Sequence, residues 1–191
     1  MVSKGITFKS ELRGKRLILK RTTPNIELAR IMFKVIDENR KHLRPWFPWE
    51  KLTLKVEDTM KYLFDKEEQT KLGNKIEYGL YLGVKYVGNI GIFDINLEKK
   101  SAEIGYWISK SFTGKGYVTE AVSILEREAF NAWKLNRIQI KCDETNIGSA
   151  RVAQKSGYSL EGKLREDRFS VYYNNFRNTL VFSKLRSEFN K

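Results

Sequence analysis

Residues 111–121 read SFTGKGYVTEA, and the chemistry they could do is anion binding. The first turn of a helix leaves backbone N–H groups unpaired and carries partial positive charge. Gly114 and Gly116 flank Lys115 where a helix-like run begins, and glycine removes the side chains that would keep a phosphate off those amides. Gly114, Lys115, Gly116, Tyr117 and Val118 are therefore candidates for a phosphate cradle. The same two glycines could equally do no more than turn a strand into a helix. A dinucleotide-binding fold would need a longer glycine pattern near the N-terminus and a downstream acid, and a P-loop would need Gly-x-x-x-x-Gly-Lys followed by Ser or Thr. The sequence supplies neither, so the cradle is expected to hold something other than NAD or ATP.

Other reactive side chains are scarce. His42 is the only histidine and Cys142 the only cysteine among 191 residues. A serine or cysteine nucleophile would have to be built around that one histidine, and nothing beside it suggests such a system. A single cysteine rules out an internal disulfide and a cysteine-built zinc site, and no metal is expected. Cys142 sits in the alternating run RIQIKC and reads as a buried thiol. The 36 Lys and Arg against 23 Asp and Glu leave a net charge of +13. That favours polyanionic surroundings such as RNA, or an anionic cofactor. The basic residues form no long block, so a solvated basic surface is an equal reading. A composition of 41% hydrophobic and 31% charged residues is that of a globular chain. No apolar run approaches the roughly 20 residues of a membrane span, and MVSKGITFKSELRGKR is too polar for a secretory signal. A cytoplasmic protein without a membrane partner is expected.

The elements that must position these residues follow from hydrophobic period. KRLILKRTT (15–23) alternates as a strand. Thr23 and Pro24 read as N-cap and first position of a helix over about 24–39, with Leu28, Ile31, Met32 and Val35 at helical spacing. Two prolines in HLRPWFPWE (42–50) break it. Val56, Met60, Leu63 and Phe64 mark a second helix, with Glu57 and Asp58 suited to its first turn. IEYGLYLG (76–83), KYVGNIGIFDI (85–95) and SAEIGYWIS (101–109) are strands, and Gly88 and Gly91 imply a bulge or a close approach of another backbone. A helix over about 116–133 carries the stripe Val118, Ala121, Val122, Leu125, Ala129 and Trp133. RIQIKCD (137–143) is a strand, NIGSARVAQKSG (146–157) a helix stopped by Gly157, and YSLEGKLRE and FRNTLVFSKLR two last strands. With no linker or repeat, residues 1–191 are expected to form a single mixed α/β domain.

Two stretches, AEIGYWISKSFTGKGYVTEA (102–121) and LNRIQIKCDETNIGSARVAQKSGYSLEGKLRE (135–166), resemble the core of the GNAT N-acetyltransferases, and more closely the RimJ/RimL-type ribosomal-protein N-terminal acetyltransferases. The resemblance implies the GNAT fold with a mostly antiparallel mixed sheet flanked by helices, acetyl-CoA as co-substrate, and backbone amides of the loop on its pyrophosphate. The family's loop runs Gln/Arg-x-x-Gly-x-Gly/Ala. Here Thr113 stands at its first position, Gly116 matches, and Val118 replaces the last small residue; Thr119 could add a hydroxyl contact. A splayed strand would lay Trp107, Ile108 and Ser109 along the pantetheine arm. Asn146 and Ser149 match the subfamily's Asn-x-x-Ser, which implies a pantetheine contact and a position near the sulfur. With no tyrosine on that helix before Tyr158, Ser149 is the candidate proton donor; an N-cap and a small packing residue are the plainer alternative. Arg151 and Lys155 could reach the ribose phosphate or simply face solvent.

The acceptor follows from proton chemistry. An α-amino group has a pKa of about 7.7–8.0 and a lysine about 10.4, so a site without a histidine base suits an N-terminal amine. Glu103, sharing a strand face with Gly105 and Trp107, is the candidate base; Glu166 and Asp167 are weaker candidates, and an ion pair with a surface lysine is the alternative for Glu103. Trp46 and Trp49 in RPWFPW form either a buried plug or the wall of the acceptor groove. The expected partner is a protein N-terminus, ribosomal by the resemblance, which would bring ribosome association; a small amine such as a drug or polyamine is the sibling reading. A non-catalytic RNA-associated protein of the same fold is the competing class, and monomer and homodimer both stay open.

Overall fold

The computed structural model describes residues 6–189. Eight strands form one sheet: β1 (Glu11–Arg13), β2 (Ile18–Arg21), β3 (Ile76–Leu82), β4 (Lys85–Asn96), β5 (Ser101–Ile108), β6 (Arg137–Asp143), β7 (Ser159–Ser170) and β8 (Asn175–Leu185). Their order across the sheet is β1-β2-β3-β4-β5-β6-β8-β7. Every pairing is antiparallel except that of β5 with β6. Between the strands run α1 (Ile26–Glu38), α2 (Arg40–Leu43), α3 (Val56–Lys71), α4 (Tyr117–Arg127) and α5 (Ile147–Lys155), and α6 (Arg186–Phe189) follows β8. This is the mixed α/β architecture expected, with β1 and α6 added at its ends. Among the described residues no helix is long and apolar enough to cross a membrane.

The alternation of β3, β4 and β5 divides the core between two sheet faces. Ile76, Tyr78, Ile90, Ile92, Ile104 and Ile108 pack with Val118, Ala121, Val122 and Leu125 of α4. On the other face Trp107 packs with Ala29, Met32 and Ile36 of α1 and Leu63 of α3. The stripe expected on the long helix is buried throughout, but the helix changes form on the way. After Arg127 one turn of π-helix, Glu128–Ala132, carries the chain to Trp133.

Local chemistry moves two boundaries. The cap of α1 is Asn25, not Thr23: its side-chain oxygen accepts from the Glu27 and Leu28 amides, so Pro24 lies before the helix. Asp58 does serve the start of α3, accepting from the Leu54 and Lys55 amides. Gly88 meets the expectation of close approach. A Cβ there would lie 2.3 Å from the Trp107 carbonyl oxygen on β5. A bulge adjoins it too: Leu80 pairs with Gly88 and Tyr81 with Tyr86, leaving Val87 of β4 as the extra residue, and β4 has a second irregularity between Phe93 and Asn96.

Candidate active site

β5 and β6 pair only through residues 101–103 and 137–139. Beyond Glu103 the two parallel strands separate, and a cleft of about 520 Å³ opens between them. Its lining gathers most of the residues singled out from the sequence. Thr113, Gly114, Gly116, Tyr117, Val118 and Thr119 stand at one end, Trp107 and Ile108 along one side, and Asn146 and Ser149 opposite.

The glycine-flanked turn has the form an anion cradle needs. Gly114 and Gly116 adopt φ of +74° and +77°, in the left-handed region that costs other residues energy. Gly116 is the residue that caps α4. Space beside the Gly114 Cα is open, and beside Gly116 the first atom met is Nη2 of Arg16, 3.5 Å from where a Cβ would be. Arg16 was not singled out by the sequence. Its Nη1 donates to the Lys115 carbonyl at 3.0 Å and its Nε to Glu120 at 2.7 Å. That carbonyl is thus tied back while the amides at the helix start stay clear. Lys115 does not line the cleft.

On α5, Asn146 is the N-cap, accepting from the Ser149 amide at 3.1 Å, and it lines the cleft as well. Ser149 Oγ lies 3.0 Å from the hydroxyl of Tyr106. Tyr106 stands on the face of β5 against which α4 and α5 pack, and burial pushes its pKa above the usual tyrosine value. A phenol thus reaches the position where no helix tyrosine exists. Hydropathy alone gave no cue, because Tyr106 reads as one more apolar residue of a buried strand. Ser109 does not line the cleft. It is buried and its hydroxyl donates to Asn39 Oδ1 at 3.2 Å, tying the end of β5 to the end of α1. Arg151 and Lys155 both line the cleft.

Glu103 stands where the strands part and lines the cleft. Its carboxylate accepts from Gln139 at 2.9 Å and pairs with Lys141 at 3.1 Å. Glu166 and Asp167 lie at the irregularity of β7, exposed and outside the cleft lining. His42 lines the cleft, where the sequence had suggested no role; burial lowers its pKa, partly offset by the Ile108 backbone, with Lys110 lowering it further. Ile108 is three residues along β5 from Gly105, about 10 Å, so the imidazole sits well away from the point where the strands part. Cys142 is buried, as expected, and burial raises its thiol pKa. Asp143, also buried, accepts from Arg177 and Arg168, which hold its carboxyl below the usual range against the effect of burial.

A second cavity, of about 320 Å³, lies on the α1–α3 side of the sheet. It shares Phe47 and residues 105–107 with the first. The two tryptophans of RPWFPW divide between them: Trp46 lines the cleft, Trp49 the second cavity. Trp49 also packs on Trp107, with ring centroids 6.1 Å apart. The segment is held by Glu50, which is 1% exposed and paired with Arg40 and Arg44 at 2.9 and 3.0 Å. Among the described residues no cluster of His, Cys, Asp and Glu could hold a metal.

A family model described as an acetyltransferase (GNAT) domain matches residues 16–159. A Bacillus subtilis (strain 168) protein, YdaF, provisionally named a ribosomal N-acetyltransferase, is 37% identical over 112 residues, 59% of this chain and 60% of its own length. The ribosomal-protein-serine acetyltransferase of Escherichia coli (strain K12) is 28% identical over 138 residues, 72% of this chain and 77% of its own. Among solved structures, RimL, a ribosomal L7/L12 alpha-N-protein acetyltransferase in complex with coenzyme A, superposes with a TM-score of 0.85. That match covers 92% of this chain and 97% of the other at 19% identity, a likeness of fold.

Proposed function

The chain belongs to the GNAT acetyltransferase family and is an N-acetyltransferase of the RimJ/RimL type, and from that premise we propose that it acetylates the N-terminal α-amine of a protein, a ribosomal protein first, with acetyl-CoA as donor. The observation that carries the reading is the junction of two cavities at residues 105–107. One has an open, left-handed glycine turn at its far end, suited to a pyrophosphate; the other enters from the opposite face of the sheet, suited to an acceptor. The coenzyme A of RimL and the naming of the E. coli relative support the same donor and class of acceptor.

In this reading the amides at the start of α4 hold the pyrophosphate, and the unpaired edge of β5 after Glu103 offers backbone groups to the pantetheine arm. The α-amine attacks the thioester carbonyl near Gly105. It loses a proton as the C–N bond forms, and the thiolate departs as the C–S bond breaks. Glu103 is placed to take that proton, directly or through water. Gln139 and Lys141 orient it. An α-amine needs little help, because at neutral pH roughly a tenth of it is already deprotonated. Ser149, with Tyr106 behind it, is placed to give a proton or a hydrogen bond to the thiolate. We take the chain as one domain and its location as cytoplasmic on the same reading.

Release of free thiol from acetyl-CoA, measured across N-terminal peptides, polyamines and aminoglycosides, tests this directly. Turnover led by a peptide with a free N-terminus supports it. Turnover by small amines with every peptide silent would move the enzyme to the sibling acceptor class.

A further inference from the structure

The second cavity has a charged floor that the transfer chemistry does not use. Glu77, at 5% exposure, sits in β3 beneath apolar walls that include Met32, Ile36, Trp49 and Phe93. Its Oε2 accepts from the Tyr62 hydroxyl at 2.5 Å and from Asn89 Nδ2 at 3.0 Å, and Asn89 is fixed in turn by the Tyr86 hydroxyl at 3.2 Å. Neutral donors therefore orient the carboxylate. Its Oε1 faces a cation, the ammonium of Lys66. That ammonium also lies 4.6 Å from the Phe93 ring centroid and 4.9 Å from that of Tyr62. A carboxylate and two aromatic faces around one nitrogen are the means by which aliphatic ammonium groups are recognised.

The occupant is the tip of a flexible four-carbon arm from an outer helix. Burial pushes the Lys66 amine down, to about 7, with Lys75 adding to the effect. Buried ion pairs are poor contributors to stability compared with apolar packing, so the cage calls for another use. Thr59, 2% exposed, lines the same cavity, and its hydroxyl has no hydrogen-bond partner among the described residues. Register supplies the connection to the reacting end. Glu77 pairs with Gly91, and Gly91 with Gly105. The carboxylate is thus level with the junction of the two cavities and two strand spacings from it, about 10 Å. The glycines leave room for the Phe93 ring, which a Cβ at Gly91 would meet at 2.7 Å.

We propose that Glu77, Tyr62 and Phe93 form a subsite for a second, aliphatic ammonium on the acceptor, and that Lys66 fills it as a placeholder until such an acceptor arrives. The inference rests on the acetyltransferase reading of the site. Favoured acceptors carry an ammonium on an alkyl arm at a fixed reach from the amine that is acetylated. A peptide whose first residue is lysine meets that need, and so does an alkyl polyamine.

The test measures kcat/KM by thiol release for peptides alike except for alanine, norleucine or lysine at position one, and for spermidine against butylamine. The lysine peptide should exceed the norleucine peptide by about tenfold, or spermidine exceed butylamine by as much; which pair shows it tells peptide from polyamine. Glu77→Gln should bring that ratio down toward one, whereas Lys66→Met should raise it. A merely structural ion pair would move both variants the same way, and that result overturns the proposal. If Glu77→Gln does not fold, Phe93→Leu should lower the same ratio. Turnover of the neutral peptides with no preference for the ammonium defeats this inference alone. Preference for spermidine with every peptide silent defeats the N-terminal acceptor and leaves the subsite standing. No turnover of any acceptor removes both.

Discussion

Tyr106 reaches Ser149 from a neighbouring strand, and two hydroxyls 3.0 Å apart act as a unit. Ser149→Ala and Tyr106→Phe should therefore cost similar amounts, and the double variant little more than either alone, because coupled residues do not add. A positioned acid typically contributes about 10²–10⁴-fold. A thiolate leaves fairly readily, so losses in kcat at or below the low end are expected. Additive losses measured by single turnover would mean the two hydroxyls serve separate steps. Glu103 differs in kind. If it takes the amine's proton, the deficit of Glu103→Gln should be largest near pH 6–7 and shrink above about pH 8, where an α-amine is deprotonated unaided. A pH–rate profile of kcat/KM for parent and variant decides it. Parental rates across the neutral range would make Glu103 the partner of Lys141 and nothing more.

At the scale of elements, strand pairs act on the site through their spacing. Gly88 lets β4 come against the Trp107 carbonyl, and a Cβ 2.3 Å from a backbone oxygen cannot be relieved by a rotamer change. Gly88→Ala should lower stability by about 1–3 kcal/mol, read as a fall in the denaturant midpoint with the slope unchanged. Hydrophobic period made β3 to β6 and both flanking helices legible. So did the glycine turn, whose φ values of +74° and +77° are those that only glycine adopts freely. Contacts between elements distant in sequence were not legible. Arg16 is 99 residues from the Lys115 carbonyl it holds, and nothing local marks it. Tyr106 lay hidden inside a strand whose alternation was correctly read, and His42 entered the cleft because α2 folds back toward Ile108. Asn25 took the cap because its short amide reaches two helix amides at once, a local choice that propensity left open between neighbours.

Over the whole molecule, the sheet divides two cavities that meet only where Phe47 and residues 105–107 line both. The wall at that meeting is the 3₁₀ turn Pro48–Leu52 with the residues before it, and Glu50 is its anchor. Trp46 and Trp49 lie on either side of the wall. Trp49→Ala should therefore raise the acceptor KM more than the acetyl-CoA KM, and Trp46→Ala the reverse. The anchor makes the wall acid-labile. Hydrogen bonds from Arg44 and Arg40 hold the Glu50 carboxyl below its ordinary value, against the opposing effect of burial. A depressed carboxylate stabilises the fold fully above its unfolded pKa, about 4.3, and loses that contribution as pH falls through the lower, folded value. Glu50→Gln should cost about 1–3 kcal/mol at pH 7, less than a fully buried pair because both arginines reach solvent. The gap between thermal melts of parent and variant from pH 7 to pH 3 should begin to close below about pH 4 and go on narrowing as the parent loses the same charge by protonation. A gap that stays constant over that range would assign the cost to the shape of glutamine in the packed turn rather than to the lost ion pair.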